Sequence, residues 1–219
     1  MDHDFWIERW SRDEIGFHMD ERHEFLHQYY HRLHVGPETV FVPLCGKSPD
    51  LLWLRQQGAK VLGVELSELA VRAFFAENGL DAEIDESGAI PRFHSAGVTL
   101  FQGDLFQLSP DDFRHVRAVY DRGSLVALPP PMRREYADFL CRSLPIDSRI
   151  LMVGYDYDQA ELPGPPFAVP LPEIEQLFGM TFQLELLAQH DALPSHHLLR
   201  QRGLSRLIEY ACLLTHRST

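Results

Sequence analysis

A formal net charge of −12 over 219 residues argues against a nucleic-acid partner, because phosphate binding needs clustered lysine and arginine side chains. The same length and a hydrophobic fraction of 45% suit one α/β domain over residues 1–219 with a sizeable core of its own. No apolar run approaches the ~18 residues that span a membrane, and three widely spaced cysteines, with an acidic start that leads into no apolar signal region, predict a cytoplasmic protein.

The first 36 residues precede the predicted sheet and have a mostly helical pattern. Their start carries the aromatic residues Phe5, Trp6 and Trp10, and Trp6 and Trp10 taken alone would be core residues. Gly16 predicts a break, with a loop after it. These residues therefore form an N-terminal arm of the domain.

Three histidines of this arm, His23, His27 and His31, recur at four-residue spacing on a predicted helix. Such spacing can build a metal site. No carboxylate or cysteine completes the set at ligand spacing, so a solvated helix face is the expected arrangement. The sequence therefore predicts no metal centre.

A strand–loop–helix–strand unit follows the arm. The β-branched and aromatic run at 40–42 predicts a strand buried on both faces, and Ser48 with Pro49 predicts the start of a helix. Residues 60–65 form the next strand, and Glu65 stands at its end. A carboxylate at this place in a doubly wound sheet can accept hydrogen bonds from both hydroxyls of a ribose. The unit therefore predicts a cofactor that contains a nucleoside.

Strands and helices continue to alternate along the rest of the chain. Residues 81–96 are predicted to be an irregular segment with a short strand or turn. Helices are predicted after Ser67 and over 131–143, and strands over 98–102, 116–120, 149–155, 182–187 and 204–214. This order predicts a doubly wound α/β fold with a mostly parallel sheet, to which the last two strands add an antiparallel pair.

The turn after the first strand indicates the kind of cofactor. Gly46-Lys47-Ser48 suggests a phosphate-binding loop, but that motif needs another glycine where this chain has Phe41. The dinucleotide fingerprint G-x-G-x-x-G is also absent here, which argues against a nicotinamide-dependent oxidoreductase. A single glycine in the turn offers no obvious close approach to a diphosphate. We therefore expect S-adenosylmethionine, which has a ribose but no diphosphate.

Two other strand ends carry candidate cofactor contacts, each with a structural alternative. Asp104 could bind an adenine amino group with Leu105 against the ring, or it could cap the following turn. Arg122 could bind the cofactor's carboxylate in bidentate geometry, or it could form a structural pair with Asp121. Cys45, in the turn after the first strand, has no identifiable histidine partner, so we interpret it as a small buried residue rather than a nucleophile.

Six short motifs occur in order along the chain: F-W-x-x-x-W (5–10), I-G-F-H (15–18), V-P-L-C-G-K-S (42–48), G-V-E-L-S (63–67), Y-D-R-G-S-L-V-A-L (120–128) and G-P-P-F (164–167). With these motifs the sequence closely resembles the thiopurine S-methyltransferase family in its bacterial form. The agreement is looser towards the end of the chain. Residues 196–202 depart most from the family pattern, which leaves the preferred substrate open.

The resemblance implies a seven-stranded, Rossmann-like methyltransferase sheet whose helical arm, residues 1–36, covers S-adenosylmethionine. Phe17 corresponds to the family's aromatic residue next to the substrate. On this reading Trp10 is a lid over the cofactor rather than a core residue, and Arg122 as a cofactor ligand is favoured over the pair with Asp121. The family's cofactor contacts correspond to Trp10, Leu44, Glu65 and Arg122, with Asp104 and Leu105 on the adenine side.

The activity implied by the resemblance is S-methylation of aromatic and heterocyclic thiols such as thiopurines, by in-line methyl transfer to a thiolate. An aromatic thiol is already substantially ionised near neutral pH, so we expect no obligate catalytic residue and a rate that comes mainly from positioning. Selenium and tellurium oxyanions are the rival acceptors on the same scaffold. A rival from another class is a module that binds the cofactor without turnover. The partner is in each case a small molecule, and we expect a monomer.

Overall fold

Nine strands form one sheet within residues 3–217, the part of the chain that this computed structural model describes. Their bounds are β1 (Thr39–Val42), β2 (Lys60–Glu65), β3 (Glu83–Asp85), β4 (Arg92–Ser95), β5 (Val98–Gln102), β6 (Val116–Arg122), β7 (Arg149–Asp156), β8 (Phe182–Asp191) and β9 (Ile208–His216). Their order across the sheet is β3-β4-β5-β2-β1-β6-β7-β9-β8. The ends of the predicted domain, residues 1–2 and 218–219, lie outside the described residues.

The central strands confirm the predicted doubly wound arrangement. β5, β2, β1, β6 and β7 pair in parallel, and the strand order reverses between β1 and β6. β9 pairs antiparallel with both β7 and β8, so the predicted terminal hairpin is also confirmed. Ligands of such sheets bind beyond the carboxyl ends of the strands where the order reverses. The ends of β1, β2 and β6 are therefore the place to look for a binding site.

The predicted count of seven strands is too low by two, because the described sheet has nine. Residues 81–96, predicted to be largely irregular, form the short antiparallel strands β3 and β4 at the edge of the sheet beside β5. Both strands contain exposed charged residues, among them Glu83 and Arg92. Such strands lack the apolar run that marks a buried strand in a sequence. The remaining strands make up the predicted methyltransferase sheet.

Eight helices accompany the sheet in the described part of the chain. Their bounds are α1 (His3–Ser11), α2 (Glu24–Tyr29), α3 (Pro49–Gln56), α4 (Glu68–Glu77), α5 (Ser124–Ala127), α6 (Pro130–Ser143), α7 (Leu171–Phe178) and α8 (His197–Gln201). Both predicted serine caps are confirmed: Ser48 Oγ accepts a hydrogen bond from Asp50 N at 3.2 Å, and Ser67 Oγ accepts one from Ala70 N at 3.4 Å. None of these helices has both the length and the hydropathy needed to cross a membrane.

The N-terminal arm is less helical than its sequence pattern suggests. α1 ends at Ser11, and α2 begins only at Glu24 and continues as a short 3-10 helix, Tyr30–Leu33. Asp13 has a φ of 55°, in the left-handed region, which a right-handed α-helix cannot contain in its interior. The predicted break at Gly16 is confirmed, since it falls in the loop between α1 and α2.

Side chains of the central strands alternate between two apolar cores, one on each face of the sheet. In β1, Phe41 belongs to one core, and Val40 and Val42 belong to the other, as the two-residue period of a strand requires. All three are buried, which confirms a strand that is covered on both faces. Because helices and apolar side chains cover the faces, the strand ends are the part of the sheet that remains for binding.

Candidate functional site

The turn after β1 lies where the strand order reverses. Leu44 has a φ of 44° and Gly46 a φ of 54°, both in the left-handed region, and Cys45 N donates a hydrogen bond to Val64 O of β2 at 3.0 Å. A leucine in this conformation costs about 1–2 kcal/mol, and backbone strain of this kind concentrates at binding sites. Cys45 is buried, as predicted, and its burial raises the pKa of its thiol well above the usual value. Its thiol is therefore not poised to act as a nucleophile.

Glu65 ends β2 beside this turn and is only 6% exposed. Its two carboxylate oxygens accept hydrogen bonds from backbone N–H groups, Oε2 from Gly46 at 2.9 Å and Oε1 from Ser67 at 2.7 Å. Burial raises the pKa of Glu65, and the two N–H donors partly oppose that rise. Each carboxylate oxygen has a second lone pair. Glu65 can therefore accept two further hydrogen bonds, as the two hydroxyls of a ribose would require.

The arm places one aromatic side chain against the turn and a second beside the first. Trp10 is 5% exposed, and a Cβ atom added at Gly46 would lie 3.1 Å from Trp10 Cζ2. Phe17 is 42% exposed and packs edge-on against Trp10 and Trp6, with ring centroids 5.6 Å and 5.5 Å apart. Trp10 is thus buried against the strained turn, and Phe17 presents an open ring beside it.

Asp104 follows β5 and adopts the capping geometry of its structural alternative. Its Oδ1 accepts a hydrogen bond from Phe106 N at 3.0 Å, and its Oδ2 lies 3.1 Å from His3 Nε2 at the start of the arm. Leu105 is buried in the core and lies in the 3-10 helix that Asp104 caps. The structure brings both residues to the same edge of the sheet as Glu65, because Gly103 N, one residue earlier, donates to Glu65 O at 2.9 Å.

Asp121 and Arg122, at the end of β6, have separate surroundings. Asp121 is fully buried and accepts hydrogen bonds from Tyr136 OH at 2.6 Å and from Ser124 N at 3.1 Å. Burial raises the pKa of Asp121, and these donors partly oppose the rise. Arg122 is half-buried, and within residues 3–217 its guanidinium has no hydrogen bond or ion pair. The alternative of a structural Asp121–Arg122 pair is therefore wrong.

The prediction of a solvated histidine face is wrong for His23. His23 is 4% exposed, its Nδ1 accepts a hydrogen bond from Phe25 N at 3.2 Å, and its Nε2 lies 3.2 Å from Glu209 Oε1 in β9. His27 and His31 are exposed, as predicted. The prediction failed because His23 is not a residue of the helix but its N-cap, at the point where the chain turns towards the sheet. The four-residue spacing alone does not show this.

Three side chains that sequence reasoning missed lie around Arg122. Burial, with nearby charges that include Arg122, lowers the pKa of both His18 and His196. Tyr155 of β7 packs edge-on against His196, with ring centroids 5.6 Å apart. Tyr155 closes a predicted strand, so its position at the strand end was a usable signal. His196 lies between the last two predicted strands and has no signal of its own.

A family model described as thiopurine S-methyltransferase (TPMT) matches residues 1–217. The chain belongs to the thiopurine S-methyltransferase family. A protein of that name from Nitrosospira multiformis is 48% identical over 219 residues, with 100% of both chains covered. Another, from Pseudomonas paraeruginosa, is 47% identical over 215 residues, which is 98% of this chain and 99% of that protein.

The fold of this thiopurine S-methyltransferase family member recurs in solved methyltransferases. One is a Burkholderia thailandensis 1,6-didemethyltoxoflavin-N1-methyltransferase with bound 1,6-didemethyltoxoflavin and S-adenosylhomocysteine. It has a TM-score of 0.65 and 16% identity, over 99% of this chain and 87% of that chain, so the likeness concerns the fold alone. Family membership together with this fold makes the chain an S-adenosylmethionine-dependent methyltransferase.

The strand-end residues of this thiopurine S-methyltransferase family member fit S-adenosylmethionine by their chemistry. Glu65 has free lone pairs for a diol, and Arg122 has a guanidinium that no carboxylate of the described chain occupies. Both stand at carboxyl ends of parallel strands on either side of the point where the order reverses. A nucleoside at one end and a carboxylate at the other are the features that such an arrangement can hold.

Proposed function

We propose that this methyltransferase transfers a methyl group to the sulfur of aromatic and heterocyclic thiols, thiopurines among them. The observation that carries the proposal is the open ring of Phe17, 42% exposed, beside the buried ring of Trp10. Such an entrance suits a flat, apolar acceptor, because aromatic rings gain from edge-to-face and offset contacts. Support also comes from relatives named thiopurine S-methyltransferase that are 48% and 47% identical.

The proposal includes a role for each cofactor residue. Glu65 would accept the ribose hydroxyls, and Arg122 would bind the methionine carboxylate. Leu44 would contact the methionine end through the backbone of the turn, Trp10 would cover it, and Asp104 with Leu105 would lie on the adenine side. These roles agree with the lone pairs left on Glu65 and with the guanidinium of Arg122, which no residue of the described chain pairs with.

S-adenosylmethionine, when bound, supplies a methyl group that its sulfonium charge activates. The residues of the chain hold the acceptor sulfur in line with the methyl–sulfur bond, exclude water and favour the thiolate form of the acceptor. Trp10 and Phe17 cover the site with aromatic surface, and the charge of Arg122, which also acts on the neighbouring His18, favours a negatively charged sulfur. An acceptor that is already a thiolate then needs no general base.

A methyl-transfer assay with labelled S-adenosylmethionine tests the proposal. We expect turnover of 6-mercaptopurine and thiophenol to exceed turnover of selenite and tellurite. Phe17→Ala should reduce kcat/KM for the aromatic thiols by roughly tenfold, as for a lost aromatic contact of about 1.4 kcal/mol, with S-adenosylhomocysteine affinity unchanged. Ile7→Ala is the matched control, since Ile7 is an equally exposed apolar residue of the arm outside the aromatic cluster.

Two results would contradict the proposed acceptor. Faster methylation of the oxyanions than of any thiol would make metalloid detoxification the main activity. Binding of S-adenosylhomocysteine without transfer to any acceptor would indicate a module that only holds the cofactor. That the protein is a cytoplasmic monomer without a nucleic-acid partner stays a prediction.

A further inference from the structure

His196 stands directly before α8, in the connection between β8 and β9. Its imidazole is half-buried and packs edge-on against the ring of Tyr155, with centroids 5.6 Å apart and an angle of 81° between the planes. Tyr155 lies near the carboxyl end of β7, the strand next to β6 and Arg122. His196 is therefore at the edge of the sheet where the acceptor must enter, although it comes from a distant part of the chain.

Helix α8 also meets the part of the arm that carries Phe17. A Cβ atom added at Gly16 would lie 3.1 Å from Leu198 Cδ1, so the arm loop and α8 are in contact. Phe17 follows Gly16 directly, and His196 is two residues before Leu198. The arm loop and α8 thus form two sides of the proposed acceptor entrance. Phe17 and His196 lie on either side of the contact between them.

Charged and titratable groups from five elements act on His196. Burial is the largest influence on its pKa and lowers it; Glu209 opposes this, while Arg122 and two other histidines lower it further. The groups are Glu209 of β9, Arg122 of β6, His190 of β8, His23 of the arm and, by ring contact, Tyr155 of β7. His196 is therefore a neutral imidazole near neutral pH, with a buried carboxylate nearby that would stabilise its protonated form.

The surroundings of Glu209 keep this carboxylate in place. Glu209 is buried, its Oε1 lies 3.2 Å from His23 Nε2, and its residue is the direct cross-strand neighbour of Tyr155 in β7. Burial alone would raise the pKa of Glu209, but the hydrogen bond with His23 and the electrostatic interactions with His23, His196 and His190 lower it overall. Glu209 is thus ionised and held beside the ring on which His196 packs.

We propose that His196 accepts the proton of the acceptor thiol, which extends the reaction to thiols that are not ionised at neutral pH. This inference rests on the proposed function. As the bond between the acceptor sulfur and the methyl carbon forms, the S–H proton moves to the imidazole of His196. The electron pair of the methyl–sulfonium bond leaves with S-adenosylhomocysteine, and the imidazolium, stabilised by Glu209, releases its proton to water. Aromatic thiolates do not need this residue.

The test compares two acceptors in His196→Gln and in a matched control. His197→Gln is the control, because His197 is the adjacent residue, is exposed and only approaches Arg200. For a protonated alkyl thiol such as 2-mercaptoethanol, H196Q should lower kcat/KM about 100-fold, the usual loss when a general base is removed. For thiophenolate both variants should stay within about twofold of the wild type.

Two further measurements do not depend on turnover. Calorimetry should give the same S-adenosylhomocysteine affinity for H196Q as for the wild type, and NMR titration of the wild type should show His196 neutral at neutral pH. Equal losses on both acceptors, weaker S-adenosylhomocysteine binding, or a protonated His196 would each overturn the role of His196. A wild type that methylates no thiol at all would instead refute the proposed function, and this inference with it.

Discussion

Replacing Glu65 by Gln keeps the size of the side chain and removes its charge, and the contacts of Glu65 set the expected cost. Its oxygens accept N–H bonds from Gly46 at 2.9 Å and from Ser67 at 2.7 Å. An amide has a single oxygen, so one of these donors would face an NH2 group. Because the site is buried, losing a hydrogen bond to a charged acceptor should lower the free energy of unfolding by about 1.5–3 kcal/mol.

The same substitution should weaken cofactor binding if Glu65 holds the ribose. E65Q presents one acceptor fewer and no charge to the two hydroxyls, so we expect the Kd for S-adenosylhomocysteine to rise roughly 10- to 100-fold. Urea titration measures the stability, and calorimetry at a temperature well below unfolding measures the Kd. A Kd equal to that of the wild type would refute the ribose assignment.

Ser67→Ala separates the two effects. It removes the cap bond that Ser67 Oγ accepts from Ala70 N at 3.4 Å but keeps the backbone N–H that binds Glu65. The variant should lose about 1 kcal/mol of stability and retain the wild-type Kd. If S67A weakened S-adenosylhomocysteine binding as much as E65Q, general destabilisation would explain both results.

Two other substitutions test the turn and the buried end of β6. Gly46→Ala, at a φ of 54° and with its Cβ 3.1 Å from Trp10 Cζ2, should lose about 1–2 kcal/mol of stability in urea and weaken S-adenosylhomocysteine binding. Gly58→Ala, at a φ of 93° with open space around the added Cβ, is the control, because it introduces backbone strain without a contact to Trp10. If G46A and G58A had equal Kd values for S-adenosylhomocysteine, the contact with Trp10 would have no role in binding. Burial raises the pKa of Asp121 in the folded state, so the unfolded state loses this proton at a lower pH. Between the unfolded and the folded pKa, the free energy of unfolding therefore falls as the pH rises. The stability of the wild type minus that of Asp121→Asn should therefore fall from acid to neutral pH in urea titrations, and a constant or rising difference would contradict this.

The strands of the central sheet were predictable because their burial leaves a mark on the sequence. The predicted bounds 60–65 and 98–102 agree with β2 and β5, which are runs of apolar residues that end in a polar residue and a turn. β3 and β4 left no such mark. They lie at the edge of the sheet with charged residues exposed, and they form because β5 offers an unpaired edge, which no local pattern reports.

The candidate site divides in the same way. Glu65, Leu44 and Arg122 stand next to predicted strands, so the rule that ligands bind at the carboxyl ends finds them. His196 and Glu209 reach that edge only because β9 pairs with β7 and returns the chain to it. Because both residues are far from Arg122 along the sequence, no local pattern predicts that they lie near it.

Sequence by itself determined the parallel core and the kind of cofactor, because buried strands, turn glycines and strand-end charges are local properties. Its six ordered motifs indicated the family by resemblance. Tertiary structure alone decided which polar groups share a buried environment. It paired His23 with Glu209, gave the Asp121 carboxylate Tyr136 rather than Arg122 as its partner, and placed His196 against Tyr155. Hydrogen bonds and charge interactions depend on distance in space, and strand pairing between remote segments sets that distance.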